Sequence, residues 1–117
     1  MPHLILEASA NIHESNIRIR QALAECQDVL VKELPTQLSA CKSRVVLHDI
    51  YVVGDDDLNN AFIHLTVKLL KGRTPELLQK VAKILQDVIS NNFIRSRESL
   101  NLSVSVEIIE LSDAFVK

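Results

Sequence analysis

The sequence is short of the residues that common ligand-binding motifs require. Its 117 residues include only two glycines, Gly54 and Gly72. A dinucleotide fingerprint or a phosphate-binding loop needs several glycines close together, so both are excluded. There is no tryptophan, and there are only one tyrosine and three phenylalanines. A stacking platform for single-stranded nucleic acid is therefore not expected. Thirteen Lys and Arg against fifteen Asp and Glu leave a formal net charge of -2. That balance argues against a phosphate-tracking surface, and no nucleic-acid partner is expected. Cys26 and Cys41 are too few for a disulfide scaffold and lack metal-ligand spacing. Both read as reduced, packed or surface thiols. No apolar run approaches the ~20 residues that span a bilayer. Leu4-Ile5-Leu6 is cut off by Glu7 before it resembles a signal peptide, so a cytoplasmic location is expected, with no membrane partner. The four histidines form no His-x3-His or HExxH pattern, so no metal site is expected.

What is present is the pattern of one globular domain, spanning residues 1–117. Hydrophobic residues make up 47% and charged residues 24%, and a chain of this length buries roughly 65% of its unfolded surface. Residues 2–9 alternate, with Pro2, Leu4, Leu6 and Ala8 on one face, and predict a strand. Residues 11–32 predict a helix whose stripe is Ile19, Leu23, Cys26 and Leu30, ended by Leu34-Pro35. Residues 44–53 predict a second strand, followed by a solvated turn at Asp55-Asp56-Asp57. Residues 61–70 predict a third. Thr74-Pro75-Glu76 is a helix start, with a capping threonine, a proline in the first turn and an acid beside it. That helix should run to about residue 94 with Leu78, Val81, Leu85, Val88 and Ile89 inward. Residues 102–111 predict the last strand.

The order implies an α+β, two-layer fold. Two βαβ units, about 1–58 and 59–117, would form a four-stranded mixed sheet with both helices on one face. His3-Leu4 and His64-Leu65 echo each other in the two halves. The other sheet face then needs cover, and oligomerisation would supply it. A ferredoxin-like monomer has the same element order and remains the alternative.

Three places could carry chemistry. Methionine is commonly removed before a small residue, and proline qualifies. Removal of Met1 would leave Pro2 as a secondary amine on an ordered strand. Burial and nearby cations lower an α-amine's pKa from about 8 toward neutrality, which suits a general base for carbon acids. Without that processing, Pro2 merely opens an edge strand. Arg73 precedes the second helix, whose free N–H groups also favour an anion, so a carboxylate fits there. Lys42 and Arg44, two apart at a strand entrance, form either a second anion clamp or a polar strand end. His64 reads as a packed or interfacial histidine.

Taken together, Met1-Pro2-His3, Lys42-Ser43-Arg44-Val45, the block from Ala61 to Lys68 and Gly72-Arg73-Thr74 resemble the 5-carboxymethyl-2-hydroxymuconate delta-isomerases of the tautomerase superfamily. The resemblance covers nearly the whole chain. It implies a βαββαβ fold assembled as a homotrimer. It also implies isomerisation of unsaturated 2-oxo or 2-hydroxy di- or tricarboxylic acids in aromatic-compound catabolism, with neither cofactor nor metal. Pro2 falls on the family's catalytic proline and Arg73 on an arginine that handles substrate carboxylate. Arg44 falls on a further family arginine, and Tyr51 on a pocket aromatic. Lys42 stands where the family has arginine; it keeps the charge but loses the bidentate fork, which bears on the substrate. The alternatives are a non-catalytic trimeric binding or structural protein on this scaffold, or a hydratase or dehalogenase relative.

Overall fold

The computed structural model describes residues 2–117; the expected removal of Met1 therefore lies outside the described residues. The elements run β1 (His3–Ser9), α1 (Asn16–Glu33), β2 (Lys42–His48), β3 (Asn60–Leu69), α2 (Pro75–Asn92), α3 (Ile94–Ser99) and β4 (Asn101–Glu110). A short 3-10 turn, Leu38–Ala40, sits between α1 and β2.

The sheet order is β2-β1-β3-β4. Each half contributes a parallel pair, β1 with β2 and β3 with β4. The halves join through the antiparallel pair β1 and β3. This is the predicted mixed sheet of two βαβ units. The ferredoxin-like alternative splits each unit by inserting another strand, and the direct contact of β1 with β2 is incompatible with it.

Alternation sorts the strands into two faces. Leu4, Leu6 and Ala8 of β1 and Ile63, Leu65 and Val67 of β3 are fully buried under the helices. They meet Ile19, Leu23, Cys26 and Leu30 of α1 and Val81, Leu85 and Ile89 of α2 in one core. Both helices thus cover the same sheet face. The predicted stripes are inward, although Leu78 and Val88 are only half-buried. The other face is more polar than the strand composition suggested. It carries His3, Glu7, Arg44, His48, His64 and Lys68, with Val46 and Ile109 exposed among them. His48 Nε2 lies 2.8 Å from Glu7 and His64 Nδ1 lies 2.7 Å from Ser105 Oγ.

Element boundaries depart from the sequence reading for identifiable reasons. Helix α1 starts at Asn16, not at residue 11, because Ser15 caps it by accepting from the Arg18 N–H at 3.2 Å. The preceding Asn11 is tied to the Asn60 carbonyl at 2.9 Å. Strand β2 ends at His48, five residues before the expected end. Its partner β1 stops at Ser9, so nothing is left to pair with. Residues 49–59 instead form a loop closed by Asp55 and Asp57, which accept from backbone N–H groups two residues on. The triple-Asp segment is thus a turn, with Asp56 at φ 64°. Helix α2 stops at Asn92 and α3 was not foreseen. Asn92 bonds back to the Val88 carbonyl at 2.8 Å, a side chain competing with the helix ladder. The fully buried Phe93 then anchors the break.

The core carries a direct expectation. Leu65→Ala opens a cavity at a fully buried central position and should cost about 3 kcal/mol. Urea unfolding followed by circular dichroism measures it.

Candidate functional site

Pro2 is buried at the edge of the core, and its carbonyl accepts from the Lys42 N–H at 3.1 Å. That bond extends the β1–β2 ladder by one rung beyond His3. Because β1 and β3 are antiparallel, with His3 opposite Lys68, the start of β1 lies beside the end of β3. The segment leaving β3 therefore passes Pro2. It turns through Gly72, whose φ of 128° suits glycine, and presents Arg73 before α2 begins. The Arg73 guanidinium donates to the Leu70 carbonyl at 3.0 Å, which holds its stem against the turn. Thr74 caps α2 by accepting from the Leu77 N–H at 3.2 Å.

Pro2 and Arg73 line one cleft of about 340 Å³. Leu69 and Leu70 give it an apolar wall. Thr36 and Gln37, from the connection after α1, give it a polar one, and Lys117 closes the rim. Among its lining residues, those with charged side chains are Arg73 and Lys117. A small cleft with an apolar wall and the Arg73 guanidinium suits a compact organic anion. The sequence reading missed Thr36, Gln37 and Lys117. Nothing in their local pattern marks them, since only the antiparallel register and the path of residues 111–117 bring them to Pro2.

The other predicted residues do not enter this cleft within one subunit. Lys42 and Arg44 pair with His3 and Ile5 in register and leave β2 on the open face. Arg44 Nη1 lies 3.1 Å from His3 Nδ1. Tyr51 lies in the loop after β2, beyond the opposite end of the sheet. Seven strand residues separate that end from Pro2, about 23 Å at the usual rise. Tyr51 is half-buried there.

Three groups have perturbed titrations. Desolvation comes first, then the positive charges of Arg44, Lys42 and Lys68; together they hold His3 below its ordinary value. Neutral His3 can accept the Arg44 bond at Nδ1. Burial, with Glu25 nearby, pushes the Cys26 thiol up to about 12. Cys41 is raised too, chiefly by desolvation. Neither is poised as a thiolate nucleophile at neutral pH. Among the described residues no cluster of three or more His, Cys, Asp and Glu is arranged for a metal, and no helix is long and apolar enough to cross a membrane.

The depressed His3 sets a sign for acid stability. Below about 6.5 the unfolded chain takes up the proton before the folded one does. The contribution of neutral His3 is therefore present above that pH and lost as pH falls toward the lowered folded value. Denaturant midpoints should drop between pH 7 and pH 5, and His3→Gln should flatten that slope.

Gly72 sets another expectation. A Cβ at Gly72 would meet no atom within 4 Å, so Gly72→Ala strains only the backbone. It should cost about 1 kcal/mol or more in thermal unfolding and displace Arg73.

A family model for 5-carboxymethyl-2-hydroxymuconate isomerase matches residues 2–117. The 5-carboxymethyl-2-hydroxymuconate Delta-isomerase of Escherichia coli is 32% identical over 118 residues, covering 95% of this chain and 87% of that protein. The crystal structure of a 5-carboxymethyl-2-hydroxymuconate isomerase from Deinococcus radiodurans R1 superposes with a TM-score of 0.86 at 27% identity, covering 99% of this chain and 87% of that one. A fused 4-OT described as a symmetric trimer shares the fold alone, with a TM-score of 0.70 at 14% identity over 96% of this chain and 91% of that one. A family match along the described residues, joined to this identity and this fold, shows that the chain belongs to the 5-carboxymethyl-2-hydroxymuconate isomerase family and is an isomerase.

Proposed function

We propose that the protein interconverts enol and keto forms of an unsaturated 2-hydroxy or 2-oxo di- or tricarboxylic acid, of the 5-carboxymethyl-2-hydroxymuconate type, with the amine of Pro2 as its base. The observation that carries this reading is the placement of buried Pro2 and of Arg73 in one cleft. Once Met1 is removed, the Pro2 nitrogen is a secondary amine. Burial and the positive lining both favour its uncharged form near neutral pH. The base takes the proton of the substrate's 2-hydroxyl group. The oxygen becomes a carbonyl, the double bond shifts, and the prolinium returns a proton to a carbon of the chain. Arg73 holds a carboxylate and offsets the negative charge that spreads over the dienolate. Leu69 and Leu70 limit water on one side. The reaction is redox-neutral and needs no cofactor.

The reading includes a homotrimer. Ile50 is 95% exposed and Leu58 91%, both in the loop that holds Tyr51. Apolar side chains this bare on one loop favour contact with another copy. The polar sheet face, with Lys42 and Arg44, is equally open. A role for Lys42, Arg44 or Tyr51 at the Pro2 cleft would require a neighbouring subunit to supply them. The trimeric description of a structural relative supports the same arrangement. Light scattering should give the mass of three 13.1 kDa chains; a single-chain mass would overturn the trimer.

The chemistry is tested with protein shown by mass spectrometry to lack Met1. Ketonisation of 2-hydroxymuconate should exceed the buffer rate, rise as the proline amine loses its proton, and fall at least about 100-fold in Pro2→Ala with the fold intact. Arg73→Ala should lower kcat/KM by about tenfold or more. An unchanged rate in Pro2→Ala would reject the proline as base.

A further inference from the structure

Residues 112–117 follow β4 along the surface, and all but one of them are exposed. The exception is Phe115, which is half-buried. Its ring stands edge-on to His3, with centroids 6.4 Å apart and planes at 77°. That is the range of edge-to-face aromatic pairs. The backbone leads it there. The Leu111 N–H bonds to the Leu69 carbonyl at 2.6 Å, just past the last paired residues of β3 and β4. The segment then turns, with the Phe115 N–H donating to the Ser112 carbonyl at 3.1 Å. Asp113 pairs with Lys71 Nζ at 3.1 Å, but both side chains are more than half exposed, and such pairs contribute little. Phe115 is therefore the apolar anchor of this segment.

His3 is where that anchor reaches β1. It is the first residue paired on both sides, with Lys42 of β2 and Lys68 of β3. Pro2 lies one residue further out. It is tied through its carbonyl on the β2 side, while pairing with β3 starts only at His3. The direction of the Pro2 nitrogen thus depends on how firmly His3 is held. Arg44 Nη1 meets the His3 ring at Nδ1, 3.1 Å away, and Phe115 meets the same ring. We propose that Phe115 is a positioning residue for Pro2: its ring braces His3, and through it the first residues of β1, so that the Pro2 nitrogen keeps one direction into the cleft. Phe115 does not line that cleft, so it acts without meeting the substrate. The inference rests on the reading of Pro2 as the base and adds the contact that aims it.

The test uses the full chain without Met1. Hydrogen exchange at the amides of residues 3–6 should quicken about tenfold in Phe115→Ala, with the centre of β3 unchanged. With 2-hydroxymuconate, kcat should fall about tenfold while KM stays within about twofold, since misplacement of a reacting group acts on the chemical step. The limb of the pH–rate profile that belongs to the proline amine should move up toward about 8, the ordinary α-amine value, because a loosened strand start is better hydrated. Phe115→Tyr keeps the ring and should restore all three. Asp113→Ala removes only the exposed ion pair and should leave all three unchanged. An unchanged exchange rate or an unchanged kcat in Phe115→Ala would overturn the inference, as would a loss carried by KM alone or an equal loss in Asp113→Ala. Failure of the isomerase reading looks different: the unaltered chain does not turn over 2-hydroxymuconate, yet exchange at residues 3–6 still depends on Phe115.

Discussion

The antiparallel ladder between β1 and β3 is the constraint on which the site depends. Its register sets His3 against Lys68 and Leu6 against Leu65. The second pair is fully buried at the centre of the core, so a slip of one residue would turn that row outward. The register is therefore fixed by the core, and the core in turn fixes the ends. The start of β1 must lie beside the end of β3. Pro2, the Gly72-Arg73 turn and the exit of β4 are brought together as a consequence, although more than 65 residues separate the first from the second. Parallel pairing between the halves would have sent them to opposite ends of the sheet.

The same sheet explains why the cations are divided. Alternation sends Pro2 to the helix side, where Arg73 and Lys117 meet it, and Lys42 and Arg44 to the open side. Desolvation first, and then the open-side cations, hold His3, one residue from Pro2, below its ordinary value. Positive charge thus surrounds the beginning of β1 on both faces. Such a field favours an uncharged amine and attracts a polyanion, two requirements of the proton transfer proposed for Pro2.

Much of this was legible in the sequence, and the rest was hidden for physical reasons. Local patterns are short-range, so alternation marked Leu4, Leu6, Ile63 and Leu65 as the core face, and Thr74-Pro75 marked the start of α2. Pro2 and Arg73 could be named from their chemistry and from the resemblance to a family. Their meeting in one cleft depends on strand order, which periodicity does not encode. The end of β2 was overestimated because Val52 and Val53 have strand propensity but no partner strand. The break after Asn92 was missed because no glycine or proline announces it; a side-chain amide and a buried Phe93 make it instead. Lys117 was invisible because its position depends on a path through Asp113 and Phe115, each of which means little alone.

The base proposed here lies near a chain start, where segments fray unless they are tied down. Here the tie is both polar and apolar. The Pro2 carbonyl is held by the Lys42 N–H, and the ring is buried beside Leu69. Residues 111–117, which follow β4, set the Phe115 ring edge-on to His3 at the same strand start. Loss of order in residues 111–117 would therefore loosen the start of β1. The precision that the proposed chemistry needs at Pro2 is thus a property of the sheet end as a whole, built from β1, the end of β3 and the residues that follow β4.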